Sequence, residues 1–324
     1  MNHPNVPTIY GPLAQGLAGL LALSPFHASL FSIKSLVAGF DLLTIASLYS
    51  LGGAWPALAW AVHPLVVIEG AGEGHLDGVA VALLMASMAL LDKARGRWAS
   101  VLFAAAALVK LTPLGGAPAA LRAFGRKGAL LFLLVFAAAH LPFVRSRGPW
   151  RGLSTYAVSW EANGFVYPEL FTLVKKSGIA DSGKEAYAWI KARLGHPSVF
   201  DYGWGIFYPA FLTRAVLLFL FAAAVTFVVM RVSDPIRATG LCLVALLAAS
   251  PTLHPWYLLE VLPFALLFEW VPVLWVAGAA PLVYLTFLPR GQPAFPHPVL
   301  VRAIEFVPAL FFLLFFRTPR RSDA

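Results

Sequence analysis

Long apolar stretches separated by short polar ones make up almost the whole chain. A membrane-spanning helix needs roughly 20 mostly apolar residues. Several stretches are shorter or contain proline, which favours bent or re-entrant helices beside straight crossings. The pattern predicts an all-α, polytopic transmembrane helical bundle of about 8–10 membrane helices, at 30–51, 54–69, 76–91, 98–121, 127–143, 207–230, 236–250, 255–269, 271–289 and 299–316.

Composition agrees with this class, because 60% of the 324 residues are hydrophobic and only 12% are charged. Those proportions lie outside the usual range for a water-soluble domain. The net charge of +9 would fit nucleic-acid binding, but Lys and Arg gather in short turns between apolar stretches. That distribution is typical of membrane orientation, with basic turns in the cytoplasm. We therefore expect a multi-pass protein of the inner (cytoplasmic) membrane that binds no nucleic acid; the clusters are Lys93/Arg95/Arg97, Arg122/Arg126/Lys127, Arg231/Arg237 and Arg317/Arg320/Arg321.

Placing all four basic clusters inside gives one consistent topology. Residues 98–121 begin and end beside basic turns, and Lys110 with nearby Pro and Gly residues interrupts their middle, so we expect a re-entrant hairpin there. Residues 9–26 are predicted to form a short helix that dips in from the outer face. Residues 144–206 form a helical extracytoplasmic loop. No repeat or linker divides the chain, so we treat 1–324 as a single membrane domain.

The stretch Glu69 to Gly78, "EGAGEGHLDG", would then lie on the extracytoplasmic face. An extended backbone would project Glu73, His75 and Asp77 to one side, whereas a helix would align only Glu73 with Asp77. Asp77 is also placed to cap a helix that starts at Gly78. Glu73 and His75 could instead form a solvated turn, and a divalent-cation site built from the three side chains is a further alternative.

Two other polar segments share the predicted outer face. In "SPTLHPWYLLE" (Ser250 to Glu260), His254, Trp256 and Tyr257 would line a substrate site or belong to the interfacial aromatic belt. "SWEANGFVYPEL" (Ser159 to Leu170) joins an aromatic ring to a carboxylate and an amide, a set that can stack on and hydrogen-bond a sugar; its residues are Trp160, Glu161 and Asn163. Near the start of this loop, Arg145 would hold a lipid phosphate or extend to the interface.

Five segments in this order resemble the polytopic GT-C glycosyltransferases, with the polyprenyl-phosphate-mannose-dependent mannosyltransferase-like proteins of bacteria as the nearest group. They are "YGPLAQ" (Tyr10 to Gln15), the stretch ending in His75 and Asp77, "ALVKLTPL" around Lys110, Trp160 to Asn163, and Ser250 to Pro263. The resemblance covers most of the chain from Tyr10 to about Pro263. It implies a GT-C-like bundle with its active face outside the cytoplasm.

The resemblance implies transfer of a mannose-like sugar from a polyprenyl-phosphate donor to a glycan or lipid acceptor, with membrane lipid around the donor's tail. It places Asp77 and Glu73 in the catalytic or site-organising role. His75 and His254 would contact phosphate or sugar, and Trp160, Glu161, Asn163 and Tyr257 would form the sugar pocket. Tyr10, Glu69, Lys110, Arg145 and Trp256 complete the expected substrate-binding set. The resemblance implies no particular cofactor; cationic side chains or a divalent cation would neutralise the leaving phosphate.

The family usually has a spanning helix and an acidic outer loop before the segment that opens here at Met1, and Gly11 replaces a usual proline. The expectation is a chain without that helix and first catalytic loop. Two alternatives to an active transferase stay open: a transporter or lipid-handling protein built from broken helices, and a truncated, non-catalytic GT-C remnant.

Overall fold

A computed structural model describes residues 8–24, 29–144, 148–194, 207–286 and 298–315. The described residues are mainly helical and contain no β-strand; two isolated β-bridges join Ala162 and Asn163 to Thr252. The predicted all-helical class is therefore confirmed for this part of the chain.

The first half of the chain contains six α-helices and two other helical segments. The α-helices are α1 (Pro12–Leu23), α2 (Leu30–Gly52), α3 (Ala54–Val62), α4 (Asp77–Asp92), α5 (Gly96–Val109) and α6 (Ala117–His140). A π-helical segment, Val66–Gly72, follows α3, and a 3₁₀ turn, Thr112–Gly116, joins α5 to α6.

The second half begins after a 3₁₀ turn at Leu141–Phe143 and carries three helices in the predicted loop. These are α7 (Gly148–Ser159), α8 (Tyr167–Lys176) and α9 (Ile179–Leu194). The remaining helices are α10 (Pro209–Arg231), α11 (Pro235–Ala249), α12 (Leu262–Phe268), α13 (Val271–Ala279) and α14 (Pro298–Phe315), with 3₁₀ segments at Pro255–Glu260 and Ala280–Thr286.

Three described helical stretches are long and apolar enough to cross a membrane: Leu30–Gly52, Thr112–Phe143 and Pro209–Arg231. A fourth arises if α3 and the π-helical segment count as one span, bent by 69°. Many large apolar side chains on these helices are exposed, among them Leu218 and Phe219 on α10. Such exposure is expected of a surface that faces lipid. The larger count of 8–10 membrane helices remains a prediction.

Helix α4 lies at the centre of the bundle, with α2 and α5 packed against it. Most of its residues are buried, including Leu84, Met85 and Met88, none of which is exposed. A helix of this length spans about 24 Å. The polar groups at its two ends, Asp77 and Lys93, are therefore held far apart.

Residues 98–121 form a helical hairpin, and its re-entrant placement in a membrane stays a prediction. Helix α5 ends at Val109, and the chain turns through Lys110 to Gly116 and returns along α6 until Phe124 lies beside Gly96. Gly125 then takes a left-handed backbone conformation (φ 70°), which favours glycine and bends α6 into two parts. The hairpin places Lys110 at the same end of the bundle as Asp77.

The basic turns lie together at the other end of α4. Arg95 precedes α5 beside Phe124, and Arg122 donates hydrogen bonds to the carbonyl oxygens of Val229 and Val232 at the end of α10. Three of the predicted basic clusters are thus neighbours, while the fourth, at Arg317, lies outside the described residues.

Candidate functional site

Three ionisable side chains from different parts of the chain meet at the beginning of α4. The Lys110 ammonium pairs with the Oδ1 of Asp77 and lies 3.2 Å from the Oε1 of Glu260. The exposed fractions of the three side chains are 6%, 0% and 2% in that order. Buried charges are stable only when they are paired and hydrogen-bonded, so this trio must form as a unit.

Each carboxylate also accepts a hydrogen bond from a hydroxyl group. Tyr10 donates its phenolic hydrogen to the Oδ2 of Asp77 over 2.9 Å, and the Thr112 hydroxyl donates to Glu260. Burial, with the nearby Asp77 charge, raises the pKa of Tyr10, so this phenol stays protonated and remains a donor. We call Asp77, Lys110, Glu260, Tyr10 and Thr112 the buried ion network.

Gly11 explains how Tyr10 reaches this network. The amide of Gly11 donates to the carbonyl oxygen of Val109 over 2.9 Å, and a β carbon at Gly11 would lie only 2.2 Å from the carbonyl oxygen of Leu108. A proline there would supply such a carbon and remove the amide hydrogen. A proline at position 11 is therefore incompatible with this backbone contact.

Aromatic rings cover the buried ion network. The Lys110 ammonium lies 3.9 Å from the centre of the Tyr257 ring, a cation–π distance, and the Tyr257 hydroxyl hydrogen-bonds that of Tyr156 over 2.7 Å. The imidazoles of His75 and His254 both stack on Trp256 with ring centres 4.3 Å apart. We call His75, Trp256 and His254 the ring stack.

Different surroundings determine which ring nitrogens carry hydrogen in the two histidines of the ring stack. Nδ1 of His75 lies 2.9 Å from the carbonyl oxygen of Glu69 and 3.5 Å from its carboxylate. Because a carbonyl only accepts, Nδ1 carries a hydrogen, and in the neutral ring Nε2 is left to accept one from a ligand. Burial, reinforced by the Lys110 charge, lowers the pKa of His254 to about 4, so His254 is neutral at pH 7.

Two interpretations of "EGAGEGHLDG" are wrong. The stretch is not extended, because Val66–Gly72 is π-helical and Glu73 keeps helical dihedral angles (φ −96°, ψ −13°). Its side chains therefore diverge: Asp77 is buried, whereas Glu73 is exposed and makes no hydrogen bond or ion pair with any described residue. Asp77 is the first residue of α4, but its carboxylate accepts from Tyr10 and Lys110 instead of capping the helix.

The divalent-cation alternative also lacks a geometric basis. Among the described residues, no three His, Cys, Asp or Glu side chains are arranged to hold a metal ion. The network's cation is the Lys110 ammonium, which pairs with both buried carboxylates.

The segment around Trp160 joins the site through its backbone. The Ala162 amide donates to the carbonyl oxygen of Pro251 and the Leu253 amide donates to that of Ala162, over 3.2 and 2.7 Å. The Thr252 hydroxyl donates to the carbonyl oxygen of Trp160. The Trp160 ring lies 5.3 Å from that of Tyr156, so it borders the aromatic cover.

Glu161 and Asn163 bind other parts of the bundle. Glu161 pairs with Arg214 on α10 over 2.8 Å and accepts a hydrogen bond from Tyr167. The Asn163 amide donates to Glu305 on α14 over 2.9 Å. These contacts anchor the loop to two helices and take both side chains away from the ring stack. Arg145 lies outside the described residues, so its predicted role has no structural test.

Several residues of the site were missed by sequence reasoning. Glu260 could have been found as a carboxylate inside an apolar stretch, three residues after Tyr257. Tyr156 and Thr112 carry no comparable signal. Lys34 on α2 packs against Gly74, with its Cγ 3.5 Å from where a β carbon would lie there, and has no ion-pair partner among the described residues. Its backbone and the first part of its side chain thus lie beside the turn that carries Glu73 and His75.

Comparison of the chain with known protein families, with curated proteins and with solved structures found no match. The geometry of the site is therefore the basis for a functional conclusion.

Proposed function

We propose that the protein is an integral-membrane glycosyltransferase that transfers a mannose-like sugar from a polyprenyl-phosphate donor to a glycan or lipid acceptor outside the cytoplasm. The single observation that carries the proposal is the meeting of the ring stack with the buried ion network at one end of the bundle. Aromatic rings offer flat apolar surfaces to a sugar ring, and a few fixed polar groups orient it.

The distribution of charge favours particular roles. Asp77 has no exposed surface and is paired with Lys110, which supports a site-organising role. Glu73 is the exposed carboxylate of the two and can take the proton of an acceptor hydroxyl as its oxygen attacks the sugar's anomeric carbon. The bond from that carbon to the phosphate oxygen then breaks, and negative charge builds on the departing polyprenyl phosphate.

Lys34 is suited to stabilise that charge. His254 is neutral at pH 7, and the ammonium of Lys110 already pairs with two carboxylates. Lys34 has no such partner among the described residues and lies against Gly74. We propose that Lys34 binds the phosphate of the donor, and Arg145 is a second candidate for this role.

The orientation follows from the positive-inside rule. Because the neighbouring basic turns at Arg95, Arg122 and Arg231 are at the opposite end of α4 from Asp77, cytoplasmic basic turns put the site at the extracytoplasmic surface. In this proposal the helices form a GT-C-like bundle in the inner membrane, with 144–206 as an external loop.

The test is sugar transfer in liposomes that contain the purified protein, using polyprenyl-phosphate [¹⁴C]mannose and a membrane extract as acceptor. Transfer by the wild type should fall about 100-fold or more in Glu73→Gln, because a general base contributes on that order. Glu169→Gln is the matched control, since Glu169 is an exposed loop carboxylate that pairs with Arg302 on α14. No transfer by the wild type, or equal transfer by both variants, would reject the proposal.

A transporter is the second candidate, favoured by one observation. The 69° bend between α3 and the π-helical segment, next to buried charges, is the kind of broken helix that forms substrate sites in transporters. Release of a preloaded labelled lipid-linked sugar across the liposome membrane, without covalent transfer, would favour this alternative.

A further inference from the structure

A second site is indicated by a groove away from the ring stack. A cavity of about 320 Å³ lies between α11, α13 and α14, with Leu241, Val244, Ala248, Val273 and Leu310 among its lining residues. Its volume falls within the range of ligand sites. Almost all of its lining is apolar, which suits a hydrocarbon chain.

Among the described residues that line this groove, Arg237 is the one that carries a charge. It lies in the first turn of α11, where its backbone amide bonds to Asp234. Its guanidinium has no hydrogen-bond acceptor or carboxylate partner among the described residues. The guanidinium carbon lies 5.9 Å from the centre of the Phe268 ring. The groove therefore combines an apolar lining with one unpaired cation.

The position of Arg237 indicates the depth of the groove. Along α11, Arg237 and Ala248 are separated by eleven residues, or about 16 Å. That distance matches one leaflet of a bilayer whose hydrocarbon core is about 30 Å thick. Arg237 lies at the end where the basic turns gather, near Arg231 and the bonds of Arg122 to α10.

The rim of the groove on α14 is open to the surroundings, because Leu310 and Leu313 are 44% and 68% exposed. A hydrocarbon chain can therefore enter the groove laterally from the membrane. Leu253 and Leu258, which flank the ring-stack residues in sequence, line the groove as well. A molecule bound in the groove would therefore pack against the segment from Leu253 to Leu258.

We propose that this groove binds an anionic phospholipid, with one acyl chain along α11 and α14 and the phosphate paired with Arg237. Guanidinium groups bind phosphate through charge-assisted, often bidentate hydrogen bonds. Basic pockets between membrane helices on the cytoplasmic side are recognised sites for anionic headgroups. This inference stands independently of the proposed transferase activity.

The test combines lipid titration with mapping of contacts. Native mass spectrometry of the detergent-purified protein measures binding of phosphatidylglycerol and of phosphatidylcholine. Arg237→Gln should weaken phosphatidylglycerol binding about fivefold, the equivalent of the roughly 1 kcal/mol that one basic residue gains near anionic lipid. Arg231→Gln, at the same end but outside the groove lining, should leave binding unchanged.

Substitutions that introduce a bulky side chain test the apolar part of the groove. Ala248→Trp should reduce binding of both lipids, whereas Ala223→Trp, on an exposed part of α10, should not. In the unmodified protein, phosphatidylglycerol with a photoreactive acyl chain should crosslink to peptides of α11 and α14, whatever the folding of the variants.

Crosslinks confined to other helices, equal binding of the two lipids, or equal effects of Arg237→Gln and Arg231→Gln would overturn the proposal. Chain-to-chain crosslinks through the groove would also overturn it, since they would mean that a second copy fills it. Capture of a polyprenyl phosphate there in preference to phosphatidylglycerol would reject the phospholipid as occupant.

Discussion

Two regions of the protein use the same ionic groups in opposite ways. In the buried ion network, Lys110 lies 3.2 Å from Glu260 with 6% and 2% of the side chains exposed. Between the loop and α14, Arg302 on α14 lies 2.8 Å from Glu169 on the loop, with 23% and 66% of the side chains exposed. The shorter contact is the weaker one energetically, because solvent screens it, whereas a buried charge that loses its partner stays unsolvated. Distance alone therefore does not identify the pairs that hold a site together.

Removing the buried cation should have the largest effect. Lys110→Met leaves Asp77 and Glu260 buried without their shared partner, and breaking such a pair costs on the order of 3–5 kcal/mol. Thermal unfolding in detergent should show a large loss of stability or a failure to accumulate folded protein. Lys184→Met removes the partner of the exposed Asp181 and should change little. Equal losses in both variants would contradict the comparison.

Removing one hydroxyl should have the next largest effect. Tyr10→Phe leaves the Oδ2 of Asp77 without its donor, which we expect to cost about 1–3 kcal/mol. The unfolding temperature should fall accordingly. Tyr208→Phe provides the control, since Tyr208 is 58% exposed. If the two variants unfold together, the Tyr10 bond has no role in the network.

The fold is predicted by the sequence better than the site is. Apolar stretches with proline and glycine at their ends mark α2, α10 and α11 closely, because helix ends and lipid-facing surfaces follow from local chemistry. The hairpin at Lys110 was recognisable from an interrupted apolar stretch. The break after α3 coincides with Pro64, which disfavours a helical conformation at His63. The π-helical form of Val66–Gly72 has no comparable local signal.

The site was only partly predictable for the same reason. His75, Asp77, Lys110 and His254 are unusual polar residues in apolar surroundings, so they were identified. Which of them meet is decided by helix packing, and that packing turns Glu73 outward while it buries Asp77. Glu161 and Asn163 form a plausible sugar-binding set in sequence, but they bind Arg214 and Glu305 instead.

Lowering the pH should reduce stability through protonation of His254, by an amount between those of the preceding and the following variants. Its pKa falls from 6.5 to about 4 on folding, so the unfolded chain binds this proton first as the pH drops. Stability should therefore be complete above about pH 6.5 and decrease toward pH 4. His254→Gln should flatten this part of the profile, measured as unfolding temperature against pH. An unchanged slope would mean that the pKa of His254 is the same in the folded and the unfolded chain, which contradicts the prediction.

Changing the loop pair should have the smallest effect. Glu169→Gln removes the exposed partner of Arg302, and exposed ion pairs contribute at most about 1 kcal/mol. The unfolding temperature should shift slightly, and added salt should reduce even that difference. A loss as large as that of Lys110→Met would show that the loop is held by this pair.

The most direct measurement is a pair of double-mutant cycles on unfolding free energy. One combines Lys110→Met with Glu260→Gln, and the other combines Arg302→Met with Glu169→Gln. The account predicts a coupling on the order of 2 kcal/mol for the buried pair and less than about 1 kcal/mol for the exposed pair. Equal couplings, or a larger one on the loop, would contradict the claim that the buried ion network holds the site together.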